Sequence, residues 1–431
     1  MTLSLIGIAA LLLLVFSGVH LGFAALAVGV AGFAYLRGVD PALSMAGQQA
    51  GELLTNSNLV IIPIFMLMGE LIRRGGIAEE LYDFGNALVG RLKGGLAMST
   101  VIACGAFSSI CGSSVATAAA MTKVALPPMR RFGYHDSMSA GTVAAGGTLG
   151  ILIPPSVPMV IYCIFARQDI GKMFMAGVVP GLLMMGLFIV AIMIWVRLKS
   201  EHGGQPNEMS MIDRLAAMRR TWAFLVLFGV VLGGIYFGIL TPTEAASVGG
   251  LGALVFAVSR GRMRSWADWR DTFSSAIGVS AAIFMIGIGA MIFAQFVNLA
   301  GLPNDLVVFI EAKDVSTVTI IAFIAVICVL MGMVFDPLSI LVLIIPVFLP
   351  TLEARDVDLI WFGILTIILI ELGLITPPIG INVFTVEAAA PSLKLRDIFR
   401  GVSPFVVAML ITALLVCLFP IIATGLPNLM G

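Results

Sequence analysis

An all-α polytopic membrane protein is the fold class this sequence predicts: two inverted-topology repeats, each with a re-entrant helical hairpin and a Pro-Pro broken helix. Three observations predict it: a composition that water cannot solvate, a one-sided distribution of basic residues, and an internal repeat at a nearly constant offset. Of 431 residues, 60% are hydrophobic and 11% are charged, and the mean hydropathy is +1.09. Soluble domains carry roughly 25% charged residues, so lipid has to cover most of this surface. The formal charge of zero and the lack of a basic cluster argue against a nucleic-acid partner. Cys104, Cys111, Cys163, Cys328 and Cys417 stand in apolar runs without a C-x-x-C pair and read as small buried hydrophobes. The 24 methionines and 47 glycines read as gap fillers and close-contact residues of membrane helices.

A crossing helix needs about 20 apolar residues. On that measure spans are expected near 3–17, 21–36, 52–72, 138–165, 173–197, 221–240, 244–259, 273–298, 359–386 and 403–424. The first two come from one apolar stretch divided by a turn at Ser17, Gly18 and His20. Residues 3–17 lack a basic n-region and a cleavage site, so they read as a span and not as a cleaved signal. Two further stretches, about 95–126 and 316–350, are interrupted midway by polar or turn residues. Each is expected to enter the membrane and return on the same side.

With the hairpins counted as non-crossing, all but five of the 24 Lys and Arg residues fall on one face; Arg37, Arg167, Lys172, Lys313 and Arg355 lie opposite. Short loops rich in Lys and Arg stay cytoplasmic. The expectation is therefore a multi-pass protein of a bacterial inner membrane with both termini in the periplasm. A full crossing by either hairpin would destroy that asymmetry. Trp195, Trp222, Trp266, Trp269 and Trp361 lie near span ends, where interfacial rings are favoured. The polar segment 198–220 reads as a cytoplasmic linker between a first repeat (1–197) and a second (221–431).

The run G-I-L-I-P-P from Gly150 to Pro155 matches G-L-I-T-P-P from Gly373 to Pro378, 223 residues on. At the same offset Leu126-Pro127 falls on Leu349-Pro350, and Ser113 falls on Asp336. An offset of 225 brings Gly76-Ile77 onto Gly301-Leu302. An odd number of crossings per half makes the second half enter from the opposite face, an inverted repeat typical of alternating-access transporters.

Each repeat supplies two interrupted elements. The first hairpin tip reads S-S-I-C-G-S-S (Ser108 to Ser114) and its broken helix I-P-P-S (Ile153 to Ser156). The second tip reads V-F-D-P (Val334 to Pro337) and its broken helix I-T-P-P (Ile375 to Pro378). Proline removes a backbone donor, so a Pro-Pro pair in mid-span frees carbonyl oxygens at membrane depth. Such oxygens must face protein, water or an ion. With Ser and Thr hydroxyls they suit a hard monovalent cation such as Na⁺, while half-helix N-termini suit a carboxylate. Asp336 needs a partner in mid-membrane; it is expected to coordinate a cation, to cap the returning helix ahead of Pro337, or to do both. Glu371, just before the second break, is a candidate for sensing or binding a cation. Glu70, Glu244 and Glu387 read as helix-end or interface residues, and Asn382 as a donor to the solute or a helix–helix contact.

Enzyme readings find little support. His20, His135 and His202 are isolated, and the chain holds no H-E-x-x-H, no G-x-S-x-G and no phosphate-binding loop. A respiratory-complex subunit would want intramembrane Lys, His and Glu relays, which are missing.

At five motifs the chain resembles the large membrane subunit of tripartite ATP-independent periplasmic (TRAP) transporters. They are P-I-F-M-L-M-G-E-L with the following G-G-I-A (Pro63 to Ala78), C-G-S-S-V-A-T (Cys111 to Thr117), G-I-L-I-P-P-S (Gly150 to Ser156), P-T-E-A-A (Pro242 to Ala246) and G-L-I-T-P-P-I-G-I-N-V-F (Gly373 to Phe384). The resemblance spans essentially the whole chain and implies an elevator-type fold, like that of the ion-transporter superfamily. It implies Na⁺ as the coupling ion, a small four-helix membrane subunit, and a periplasmic solute-binding protein delivering a small organic acid. Carried over by motif, it implies sodium ligation at Ser108, Ser113, Gly150, Ile153 and Pro155 in one half. In the other half it implies ligation at Asp336, Gly373, Thr376 and Pro378. Ser114, Ser156 and Asn382 would lie nearest the solute. Cys111 departs from the family, which often has Ser there. No intramembrane Arg stands ready to clamp a second carboxylate, which favours a substrate read through one. The nearest rival is a Na⁺/carboxylate symporter or ion antiporter of related fold that works without a binding protein.

Overall fold

The structure is a computed structural model that describes residues 2–207 and 209–430. Among them every regular element is helical, with one isolated bridge between Tyr134 and Gly203 and no strand. Ile170–Leu198, Met211–Tyr236, Pro242–Ser259, Trp266–Leu299 and Leu395–Leu418 are each long and apolar enough to cross a bilayer alone. Asp136–Leu152 and Val157–Ala166 form one span bent by 41°. The expected pair of N-terminal spans is present as Thr2–Phe16 and Leu21–Arg37, parted at Ser17–His20. At 15 residues the first covers about 22 Å at 1.5 Å per residue, short of a full hydrocarbon core.

One expectation needs correction. The span placed at 52–72 is two elements, Val39–Thr55 and Ile61–Arg74, joined through the short turn Ser57–Val60. Gln48, Gln49 and Glu52 make the first of these too polar for a lipid-facing span, and Asn56-Ser57 are turn-favouring residues. At the repeat offset the corresponding segment is Trp266–Leu299, a single helix of 34 residues. Ile77–Val89 and Leu302–Ala312 are further helices that the hydropathy pattern did not single out. Each follows a left-handed glycine, Gly76 at φ 76° and Gly301 at φ 82°, the conformation that glycine alone adopts cheaply. Met211–Arg220 is helical inside the segment read as a linker. Cys417 is exposed, against the expectation of burial, while Cys104, Cys163 and Cys328 are buried and Cys111 is half-buried.

The repeats interlock by exchanging helices. Leu21–Arg37 packs along Trp266–Leu299, and Pro242–Ser259 packs along Ile61–Arg74. Glycines set the first of these contacts: a Cβ on Gly289 would stand 2.2 Å from the Gly22 carbonyl oxygen, the close approach that small residues permit. Across the two halves, Ser114–Arg131 lies on Ile381–Ala389 and Pro337–Glu353 lies on Val157–Ala166. Ion pairs join the repeats on the face where the basic loops gather: Arg74 reaches Asp268 at 3.4 Å and Asp271 at 3.7 Å, and Arg260 pairs with Glu80. Glu70 pairs with Arg73 and Arg74, and Glu244 completes a capping box with Thr241, the helix-end roles expected of both.

Candidate functional site

The first hairpin has arms Gly95–Cys111 and Ser114–Arg131, joined at Gly112. Ser113 caps the second arm, its hydroxyl oxygen accepting from the Ala116 amide at 3.4 Å. Ser108 is buried, with its hydroxyl 3.5 Å from that of Thr117 across the hairpin. The first broken helix lies directly against this tip. A Cβ on Gly150 would meet the Ser113 backbone at 3.0 Å, and one on Gly112 would meet the Pro155 carbonyl oxygen at 3.2 Å. Ser108, Ser113, Gly150, Ile153 and Pro155 therefore share one neighbourhood. Pro154 and Pro155 cannot donate to the Gly150 and Ile151 carbonyls, and the helix ends with the Ile153 amide bonded to the Leu149 carbonyl.

The second hairpin pairs Thr317–Gly332 with Pro337–Glu353. Asp336 caps the second arm: one carboxylate oxygen accepts from the Leu338 and Ser339 amides at 3.1 Å each, and the other from the Ser339 hydroxyl. The capping role expected of Asp336 is thus filled, and the helix N-terminus adds a favourable dipole. Gly332 and Gly373 touch backbone to backbone; a Cβ on Gly373 would lie 2.5 Å from Gly332. The Gly380 amide donates to the Met333 carbonyl at 3.1 Å. Here the carbonyls that Pro377 and Pro378 would orphan find donors: Gly373 accepts from the Thr376 amide and Leu374 from the Asn382 amide. Thr376 spends its hydroxyl proton on the Leu372 carbonyl at 2.6 Å, leaving its lone pairs free, and Pro378 is exposed.

Between the two sites the halves meet. Asn382 is fully buried and donates its amide at 3.4 Å to the Ala144 carbonyl. Its Oδ1 has no partner among the described residues. A Cβ on Gly147 would meet both the Ser114 carbonyl oxygen, at 3.0 Å, and the Asn382 side-chain nitrogen, at 3.3 Å. Ser114 and Asn382, from opposite repeats, thus converge on one glycine. Ser156 is buried with an unpartnered hydroxyl at the start of Val157–Ala166. An open polar cleft is lined by Gln49, Glu52, Arg167, Gln295, Asn298 and Glu353.

Sequence reasoning did not point to Gly332, Met333, Ala144 or Gly147, whose roles are backbone contacts with no side-chain signature. Only the small residues four before Asp336 and three before Gly150 hinted at them.

The chain matches the family model described as "Tripartite ATP-independent periplasmic transporter, DctM component" over residues 8–422. It is 33% identical over 373 residues to the large permease protein of the C4-dicarboxylate TRAP transporter of Pseudomonas aeruginosa, covering 86% of this chain and 87% of that one. It is 28% identical over 418 residues to the large permease protein of the sialic acid TRAP transporter of Vibrio cholerae, covering 96% of each. Among solved structures it is similar to the Alcanivorax borkumensis YdaH transporter, with a TM-score of 0.67 at 14% identity over 90% of both chains. At that identity the likeness establishes the fold.

Proposed function

We propose that this chain, which belongs to the DctM component family of tripartite ATP-independent periplasmic transporters, imports a small organic acid on a sodium gradient, receiving it from a periplasmic binding protein. It is a transporter and not an enzyme, and it sits in the inner membrane with many passes. The observation that carries the finer reading is the convergence of both interrupted elements on a shared core: Ser114 and Asn382 meet over Gly147. Sodium would be held by Ser108, Ser113, Gly150, Ile153 and Pro155 at the first break, through hydroxyl and freed carbonyl oxygens. At the second, Asp336, Gly373, Thr376 and Pro378 would hold it, with Asp336 adding charge. Ser114, Ser156 and Asn382 would bind the carboxylate, and the unpartnered Ser156 hydroxyl and Asn382 carbonyl supply polar atoms for it.

Binding of the ion first would order each tip and complete the solute site, so that only the loaded core crosses. In an elevator cycle the hairpins and broken helices would slide against the interlocked helices Leu21–Arg37, Ile61–Arg74, Pro242–Ser259 and Trp266–Leu299, braced by a small four-helix membrane subunit. The cleft carrying Arg167 would receive the acid on the periplasmic face.

The test is uptake of labelled organic acids into proteoliposomes holding this chain and its small partner subunit, with and without a Na⁺ gradient and the binding protein. Uptake needing both, and lost in Asp336→Asn, is expected. Uptake without the binding protein would replace this reading with a stand-alone symporter. Sodium-independent uptake that survives Asp336→Asn would remove the ion assignment.

A further inference from the structure

The polar cleft collects four helix ends. Gln49 and Glu52 come from the last two turns of Val39–Thr55, and Gln295 and Asn298 from the last two turns of Trp266–Leu299. Glu353 ends Pro337–Glu353, and Arg167 follows directly on Val157–Ala166. These helices pack in succession: Val39–Thr55 on Trp266–Leu299, that helix on Pro337–Glu353, and Pro337–Glu353 on Val157–Ala166. Each brings its carboxyl-terminal end to the cleft, and such an end carries about half a negative charge. The cavity measures about 470 Å³, within the roughly 300–1,000 Å³ of a small-molecule site.

Arg167 is the one cation among the described lining residues, against two carboxylates, Glu52 and Glu353. Among the described residues none of these three side chains closes an ion pair or a side-chain hydrogen bond. Arg167 sits at φ 52°, a conformation uncommon outside glycine, and its amide and that of Gln168 both donate to the Cys163 carbonyl. The turn thus presents a long cationic side chain where glycine would be less strained. Arg167 can answer one carboxylate. Three other helix ends and two glutamates stay negative around it, so a second carboxylate would be repelled there and a cationic group attracted.

We propose that this cleft is the entry site for a zwitterionic solute, which sets its carboxylate on Arg167 and its cationic nitrogen on Glu52 and Glu353. This rests on the transport reading above and names its substrate class. It agrees with the lack of an intramembrane arginine for a second carboxylate. The cleft spans both bodies of the elevator cycle, since Gln295 and Asn298 belong to the interlocked helices and Arg167 and Glu353 to the broken helix and hairpin. A solute held here has to pass on to Ser114, Ser156 and Asn382 before the bodies slide.

The test is calorimetric titration of the purified full chain in lipid nanodiscs, in Na⁺ buffer and without the binding protein. The probes are two zwitterions, glycine betaine and β-alanine, with propionate for a lone carboxylate and succinate for two. Tighter binding of the zwitterions than of propionate or succinate is expected. Glu52→Gln and Glu353→Gln should each weaken the zwitterions about threefold and leave propionate unchanged. Arg167→Gln should weaken zwitterions and propionate alike, with Arg167→Lys restoring part of the loss. Wild-type binding of neither zwitterion, succinate bound as tightly as the zwitterions, or glutamine variants that bind them unchanged would overturn the proposal. Sodium-driven uptake of another acid by a chain that binds no zwitterion would overturn it and leave the transport reading standing. Zwitterion binding lost in the glutamine variants of a chain that transports nothing would support the site and count against that reading.

Discussion

The first Pro-Pro break lies buried along its whole length, from Ile151 to Val160, whereas the second opens to the surface at Pro377, Pro378 and Ile379. Both grow from nearly the same six residues. The first break is short, running from the end of one helix at Leu152 to the next at Val157, with Gly112 and Ser113 of the hairpin tip seated on it. The second runs from Gly373 to Ile381 and turns through Gly380 at φ 66°, and its extra length lets backbone amides reach the orphaned carbonyls. Identical prolines thus pose the same problem twice. The first break lies buried under a hairpin, and its prolines leave the Gly150 and Ile151 carbonyls without their helical donors. The second satisfies its own carbonyls and relies on a charged cap, Asp336, nearby. A repeat inherits its backbone defect from sequence and its remedy from its neighbours.

Accessibility gives the sharpest way to break this contrast. With the native cysteines replaced, Ile379→Cys is expected to react with a water-soluble maleimide and Ser156→Cys to stay unlabelled, read by mass shift. Equal labelling would erase the difference. Packing comes next. Gly373→Ala forces a Cβ to 2.5 Å from Gly332 backbone, which cannot rotate away, so a loss of about 1–3 kcal/mol is expected in thermal melts. Gly150→Ala meets Ser113 at 3.0 Å and should lose visibly less; the reverse order would show the first break to be the tighter. Asp336→Ala removes a cap that accepts two backbone amides, worth about 1 kcal/mol. Ser113→Ala, which removes one bond at 3.4 Å, should cost less in the same assay.

The smallest effect concerns the connection between the repeats. His202 stacks on His135 with ring centroids 4.3 Å apart. Burial first, then the neighbouring His135 and Lys199, holds its imidazole below the ordinary value. A folded-state pKa below the unfolded one means that its contribution is complete above about pH 6.5 and fades as pH falls through that value toward the folded pKa. Hydrogen exchange at the Gln205 amide, which bonds the Phe132 carbonyl at 2.8 Å, should therefore quicken on acidification. His202→Gln should flatten that response.

Much of the site was legible in the sequence because broken helices announce themselves. Proline pairs inside apolar runs, a polar hairpin tip, and an aspartate before proline each violate what lipid demands. The break between Val39–Thr55 and Ile61–Arg74 was harder to read, since its polar face satisfies the needs of an interfacial helix and its apolar end runs on into the next element. Glu371 stood out only as an acid near a break. Its full burial depends on how other elements pack around it, and no local pattern encodes that.

By itself the sequence determined the solvent, the repeat, the hairpins and the positions of the breaks. Those follow from hydropathy, charge placement and proline chemistry, which act over a few turns of chain. Only the tertiary structure decided which glycines touch, which carbonyls stay open, and that Ser114 and Asn382 converge on Gly147 from opposite repeats. Those contacts join residues distant in the chain, Gly373 with Gly332 and Gly289 with Gly22 among them, and backbone-to-backbone approach through glycine leaves no periodic trace in the chain.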